Sequence, residues 1–173
     1  MKIDRNDPRE RTVTESVAQD SKAQLGTVEG KVRSIVTPLG VNYAYNDWTR
    51  VNMDFDHLDY PAIVFIQPVS GNLHVANEQI KDQPDCQFAF LDKTVHDDDA
   101  VSEDCVIERM KRLCYRFIKA FNESKLFDPL PEDIHYQSVI DRLDQGVSGI
   151  IISPRIKERK GVLLCDITIP RNG

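Results

Sequence analysis

With 173 residues, 40% hydrophobic and 29% charged, the chain has the length and make-up of one globular domain that can bury its own core. Disordered and fibrous classes are excluded, and no disulfide or metal staple is needed. A net charge of −6 and a pI near 5.2 argue against a general duplex-DNA binder, which needs clustered Lys and Arg to displace phosphate counterions.

In chain order, residues 1–12 are polar and charged around Pro8 and are expected to form a loose arm. The opening MKIDRNDPRERTVTES lacks a signal peptide's apolar stretch, and no apolar run approaches the ~18–20 residues of a membrane span, so a cytoplasmic protein is expected. A weak helical pattern follows through Leu25, Val28, Val32, Ile35 and Val36; Gly26 and Gly30 interrupt it, and the spacing predicts one helix beginning near Gly26. Thr37-Pro38-Leu39-Gly40 stops that helix. Val41 to Tyr45 alternates like a short strand, and residues 46–60, with Trp48 among acids, suit a surface segment.

Ala62-Ile63-Val64-Phe65-Ile66 is an unbroken apolar run between Pro61 and Pro68, which predicts a strand covered on both faces. Val69-Ser70-Gly71-Asn72 is turn chemistry, so Leu73-His74-Val75 is expected to return as that strand's hairpin partner. Cys86 to Leu91 reads as a third strand with Cys86, Phe88 and Phe90 on one face, and three strands in succession imply a meander. Val106, Ile107, Met110, Leu113, Cys114, Phe117, Ile118 and Phe121 then gather into one helical stripe over about residues 103–123. The expected N-cap is Ser102, with Glu103 and Asp104 in the first turn; Pro129 and Pro131 bar continuation. Strands are expected at 136–140, 147–152 and 162–169. The fold predicted is α+β: a mostly antiparallel sheet with the long helix and the N-terminal helix packed on one face. Residues 13–173 are expected to form a single domain.

Few residue patterns point to catalysis. His96-Asp97-Asp98-Asp99 offers oxygen ligands but lacks the spaced loop that wraps a cation, and His57 among Asp54, Asp56 and Asp59 has no second His at ligand spacing. His74 and His135 read as strand residues. Ser70 and Ser148 lack the frame of a strained nucleophile, and no phosphate-cradling glycine loop occurs. Cys86, Cys105, Cys114 and Cys165 form no C-x-x-C pair and are expected to be buried free thiols. On a strand Asp141 and Asp144 point to opposite faces, which disfavours a shared proton. Those acids, with Arg142 and the following Gly146, suit either an edge meeting charge on a neighbouring subunit or an ordinary solvent-facing hairpin. No enzyme, cofactor or metal is predicted.

The succession YPAIVFIQPVSG, QFAFLDKT, ERMKRLCYRFIKAF, VIDRLDQGVSGIIISPRI and LLCDITIP resembles small structural proteins of tailed-phage and prophage modules, nearest the tail-terminator or tail-completion group and related minor tail proteins. The likeness spans about residues 26–170 and lies mainly in element order. It implies a non-enzymatic subunit closing into a ring, commonly a hexamer, beside tail-tube or head–tail connector proteins, with DNA only in transit through the lumen and no sequence-specific nucleic-acid contact. Assembly would occur in the host bacterial cytoplasm, and the final place would be the virion tail or neck. Cys165 and Asp166, and the acidic, aromatic stretch from Asn46 to Tyr60, depart from the pattern and leave the station in the particle open. A ring built from one repeated contact needs two different patches. Candidates are Trp48 with Arg50, the trio Asp141, Arg142 and Asp144, and the basic helix face carrying Arg109 and Arg116. Two other functions remain as alternatives: a metal-dependent hydrolase using His57 or the loop of His96 and Asp97 to Asp99, and a monomeric adaptor binding a peptide along Val41 to Tyr45.

Overall fold

The computed structural model describes residues 26–47, 58–94, 100–140 and 146–163. Helix α1, Val28–Val36, starts where Thr27 turns extended and its Oγ1 accepts from the Gly30 amide at 3.0 Å, satisfying one of the unpaired first-turn donors. It buries Val32, Ile35 and Val36. A 3₁₀ turn, Thr37–Leu39, follows, and Gly40 at φ +67° closes it, as the Pro-Leu-Gly sequence implies.

Strand β1, Asn42–Asn46, runs parallel to β2, Ala62–Ile66, and every residue of β2 is buried. Next to β2 lies β5, Gln87–Lys93, antiparallel. Strand β7, Val147–Ile152, pairs with β5 and with the outermost β6, Tyr136–Val139, giving the order β1-β2-β5-β7-β6. The architecture is α+β, as the element order predicts. One face of this sheet holds Ile63, Phe65, Phe88, Phe90, Ile150 and Ile152 under the helices. The other buries Val64, Ile66, Ala89, Leu91 and Val147. Burial on both faces explains why β2 reads as a run without alternation.

The meander is corrected. Strand β3, Gly71–Ala76, does not return to β2; it pairs with β4, Gln79–Pro84, in a second sheet of order β3-β4-β8, where β8 is Val162–Leu163. Asn77 and Glu78 join β3 to β4, both with positive φ (50° and 60°), the conformation whose twist suits a two-residue hairpin. Strand β4, QIKDQP, carries too little apolar pattern to announce itself. The last strand predicted, 162–169, is described only to Leu163.

Helix α2, Ala100–Ser124, lies across β5 and β7 and against α1. Its stripe of Val106, Ile107, Met110, Leu113, Cys114, Phe117 and Phe121 is buried, as the periodicity requires. Ser102 is not the N-cap, because the helix begins at Ala100; Ala100 and Val101 contain no breaker and extend it by half a turn. A series of ring contacts, Tyr45–Phe65–Phe88–Phe117–Phe121–Phe127, crosses from β1 through β2 and β5 to α2 and the loop after it, at centroid distances from 4.8 to 5.7 Å. Each such contact contributes about 0.5–1.5 kcal/mol beyond area burial.

The segment Ser153–Lys160 is a strap between the two sheets. It bonds toward β4 through Ile156 N–H to Pro84 O (3.2 Å) and Glu158 N–H to Asp82 O (3.3 Å). On its other side Asp128 N–H donates to Lys157 O (2.8 Å) and Arg159 N–H to Leu126 O (3.1 Å).

The glycines around β7 have separate causes. Gly146 takes φ +63° before the strand. Gly149, opposite Leu91 of β5, sits where a Cβ would run into the carbonyl oxygen of Phe90. Gly149→Ala should therefore lower unfolding stability by about 2–3 kcal/mol, since backbone must move. Gly40→Ala, at positive φ but in open space, should cost about 1 kcal/mol. Urea denaturation of both variants measures the difference.

Candidate functional site

The charged residues predicted for contacts divide by location. Trp48, Arg50, Asp141, Arg142 and Asp144 lie outside the described residues, as do His57, His96, Asp97, Asp98 and Asp99. Arg109 ties α2 to β5 through Asp92 Oδ2 at 2.8 Å. Arg116 Nη2 donates to the Leu39 carbonyl at 2.9 Å and so holds α2 to the turn after α1. Both brace the fold from an otherwise exposed helix face.

The structure builds a different feature, a cleft of about 780 Å³. Its floor is Tyr45 and Phe65, one wall is the N-terminal turn of α1, and the other is the β3–β4 hairpin with Leu73 and Ile80. Among the described residues three carboxylates line it, Glu29, Asp82 and Glu158, and no Lys or Arg does. Glu158, only 6% exposed, takes Lys31 Nζ at 2.5 Å on Oε1 and the Asp82 amide at 3.1 Å on Oε2. Burial first, and then the Glu158 charge, holds the Asp82 carboxyl above its ordinary range. Nearby, Arg33 pairs with Glu29 at 2.7 Å and lies over the Tyr43 ring at 5.5 Å. The Tyr43 hydroxyl is buried, and burial first, then the Glu29 charge, raises its ionisation well above the usual value. At the hairpin base Asp85 accepts from Arg155 (2.6 Å) and Ser70 (3.1 Å), which keep its carboxyl below the ordinary range.

No protein-family model matches this chain, and no curated protein is significantly similar to it.

A second surface lies at the far edge of the main sheet. Tyr136 and Ile140, at and beyond β6, are about half exposed, and Tyr115 of α2 is 63% exposed. Lys111 Nζ sits 5.1 Å from the Tyr136 ring while bonding Glu108 at 2.7 Å. The remaining exposed large hydrophobics among the described residues, Val69, Leu73 and Val75, belong to the hairpin side. Sequence reasoning missed the cleft because Glu158 on its lining and the Lys31 that pairs with it from α1 are 127 positions apart and no local spacing signals it. The basic face of α2, by contrast, was legible from periodicity.

Among the described residues no group of three His, Cys, Asp or Glu is placed to hold a metal ion, and no helix is long and apolar enough to cross a membrane. The expectation of buried thiols is corrected at one position. Cys86 and Cys114 are buried, and burial pushes both thiols up, Cys114 to about 12, but Cys105 is exposed. It precedes the buried pair Val106 and Ile107 on the helix and falls outside the stripe. Cys165 lies outside the described residues.

Iodoacetamide under native conditions should modify Cys105 and spare Cys86 and Cys114, read by peptide mass spectrometry. Glu158→Gln should cost about 3 kcal/mol by leaving Lys31 buried without its counter-charge. Asp82→Asn should act oppositely. Because the folded carboxyl holds its proton to higher pH than the unfolded one, the wild type loses stability as pH rises from 3.8 through the raised value. The Asn variant should thus melt higher at pH 7, with the gap closing below pH 3.8. Thermal melts across pH check both variants.

Proposed function

We propose that this chain is a non-enzymatic structural subunit of a tailed-phage or prophage particle, a tail-terminator, tail-completion or head–tail junction protein that works by closing into a ring of identical copies. The observation that carries this reading is that, among the described residues, the exposed large apolar side chains divide between two separate edges, Val69, Leu73 and Val75 at the hairpin side and Tyr115, Tyr136 and Ile140 on the α2–β6 side. An isologous dimer needs only one self-complementary patch; a repeated head-to-tail contact needs two. The element order that carried the resemblance also supports it, with a helix before the sheet, a long helix crossing it and closing strands after a turn.

In this role the subunit assembles in the host bacterial cytoplasm and ends in the virion tail or neck, against tail-tube or connector proteins. The net charge of −6 suits a passage for DNA, since a lumen rich in carboxylates repels phosphates where a basic one would retain them. No catalytic group is required, because the work is done by contact geometry.

Native mass spectrometry and negative-stain electron microscopy of the purified chain over a concentration series test the reading. A closed ring, a hexamer by the resemblance, is the expected result. A stable two-fold dimer, or a monomer at every concentration, would count against it, the monomer favouring the peptide adaptor. Stoichiometric metal with a hydrolytic activity would favour the enzyme.

A further inference from the structure

We infer that the cleft between α1 and the β3–β4 hairpin is the socket for the α2–β6 edge of a second copy of this chain. This deepens the ring reading and rests on it by naming the two surfaces that meet.

Charge is the first argument. Among the described residues the cleft presents Glu29, Asp82 and Glu158 with no lining base. Lys31 neutralises Glu158 and Arg33 neutralises Glu29, which leaves Asp82 as the surplus acid. On the α2–β6 edge Glu108 neutralises Lys111, which lies over Tyr136, and this leaves Arg112, exposed three residues before Tyr115 on the same side of the helix, as the surplus base. Acidic cleft and basic edge attract one another and repel their own kind, which sets head-to-tail polarity.

Shape and register agree. Leu73 lies opposite Asp82 and Val75 opposite Ile80, so an apolar pair and the surplus acid share one face of the hairpin. That face opens into the cleft through Leu73, Ile80 and Asp82. On the other surface Tyr136 pairs with Ile152 and Ser138 with Ile150, both core residues beneath the helices, so Tyr136 stands on the α2 side beside Lys111, one helical turn before Tyr115. Tyr and Arg, residue types that dominate contact centres, stand on the edge, and the exposed Leu73 and Val75 offer them apolar surface. The cleft floor includes Tyr45 of β1, and β6 is the opposite edge strand, four strand spacings or about 19 Å away. One contact therefore leaves each copy with its other surface open, and the contact repeats.

The test uses the full chain. Leu73→Lys disables the cleft from a position that is 71% exposed, and a double variant, Tyr115→Ala with Tyr136→Ala, disables the edge. Circular-dichroism melts establish that both fold. Each variant alone should be monomeric in sedimentation velocity, with self-association weakened about thirty-fold or more. An equimolar mixture should form a one-to-one dimer and stop there, because only one intact cleft meets one intact edge. Asp82→Asn should weaken association about ten-fold while raising the melting temperature, a combination that a purely structural role does not produce. Benzoylphenylalanine at position 73 should photocross-link to peptides containing Tyr115 or Tyr136.

Either variant assembling like the wild type, or a mixture that stays monomeric, would overturn the pairing. So would cross-links confined to residues 1–25, whose next residue in sequence, Gly26, lines the cleft. If the wild type forms rings and the variants do too, the pairing fails and the ring reading stands. A wild type monomeric throughout defeats both.

Discussion

Glu158 is the contact on which the arrangement of this molecule turns. Its carboxylate is almost fully buried, and it is satisfied from two directions, by the Lys31 ammonium of α1 and by the Asp82 amide of β4. The residue sits in the strap after β7, whose backbone also bonds the loop following α2. One side chain thus ties the first helix, the small sheet and the strap together. A buried ion pair of this kind adds little to net stability over an apolar replacement, but breaking it leaves a stranded charge. It fixes where α1, β4 and the strap meet, because the carboxylate must lie between both of its donors.

That geometry matters because the two sheets are stabilised unequally. The main sheet is buried on both faces and threaded by aromatic contacts from Tyr45 to Phe127. Strand β3 of the small sheet is exposed along most of its length. It is held by β4 pairing, by the Asp85–Arg155 and Ser70 contacts at its base and by the strap. Exposed ion pairs such as Asp85–Arg155 contribute at most about 1 kcal/mol each. The hairpin is therefore set in place chiefly by backbone bonds and by Glu158, and its apolar residues remain available for something outside the chain.

What the sequence revealed follows from how local each signal is. Helix α2 and strands β2, β5 and β7 each carry their own periodicity or apolar run, and all appear close to where pattern places them. The hairpin did not, because β4 is polar and because Leu73 and Val75 look like a core strand's residues when their partners are unknown. Alternation says that one face is apolar; it does not say whether that face meets the protein's own core or another molecule. Lys31, Asp82 and Glu158 were unreadable for a related reason, since each is an ordinary charged residue in its own neighbourhood and becomes a cluster only when the strap passes β4. The glycines of the GVSG stretch show the opposite case: the residue type was visible, but the close approach of Phe90 behind Gly149 is a tertiary fact.

In the proposed ring, a head-to-tail contact closes only when the rotation from one copy to the next is fixed; otherwise it propagates as an open filament. The cleft and the α2–β6 edge belong to parts of the fold with different supports, so that rotation depends on how firmly the hairpin is held against the main sheet. Hydrophobic burial is non-directional and fixes such an angle poorly. A charge paired at 2.5 Å and a backbone amide on the other carboxylate oxygen fix it better, because both require alignment. The carboxylates of the cleft then have separate tasks: Glu158 sets the angle from within, and Asp82, neighbouring it without a base of its own on the lining, faces outward with the charge that a basic edge can answer.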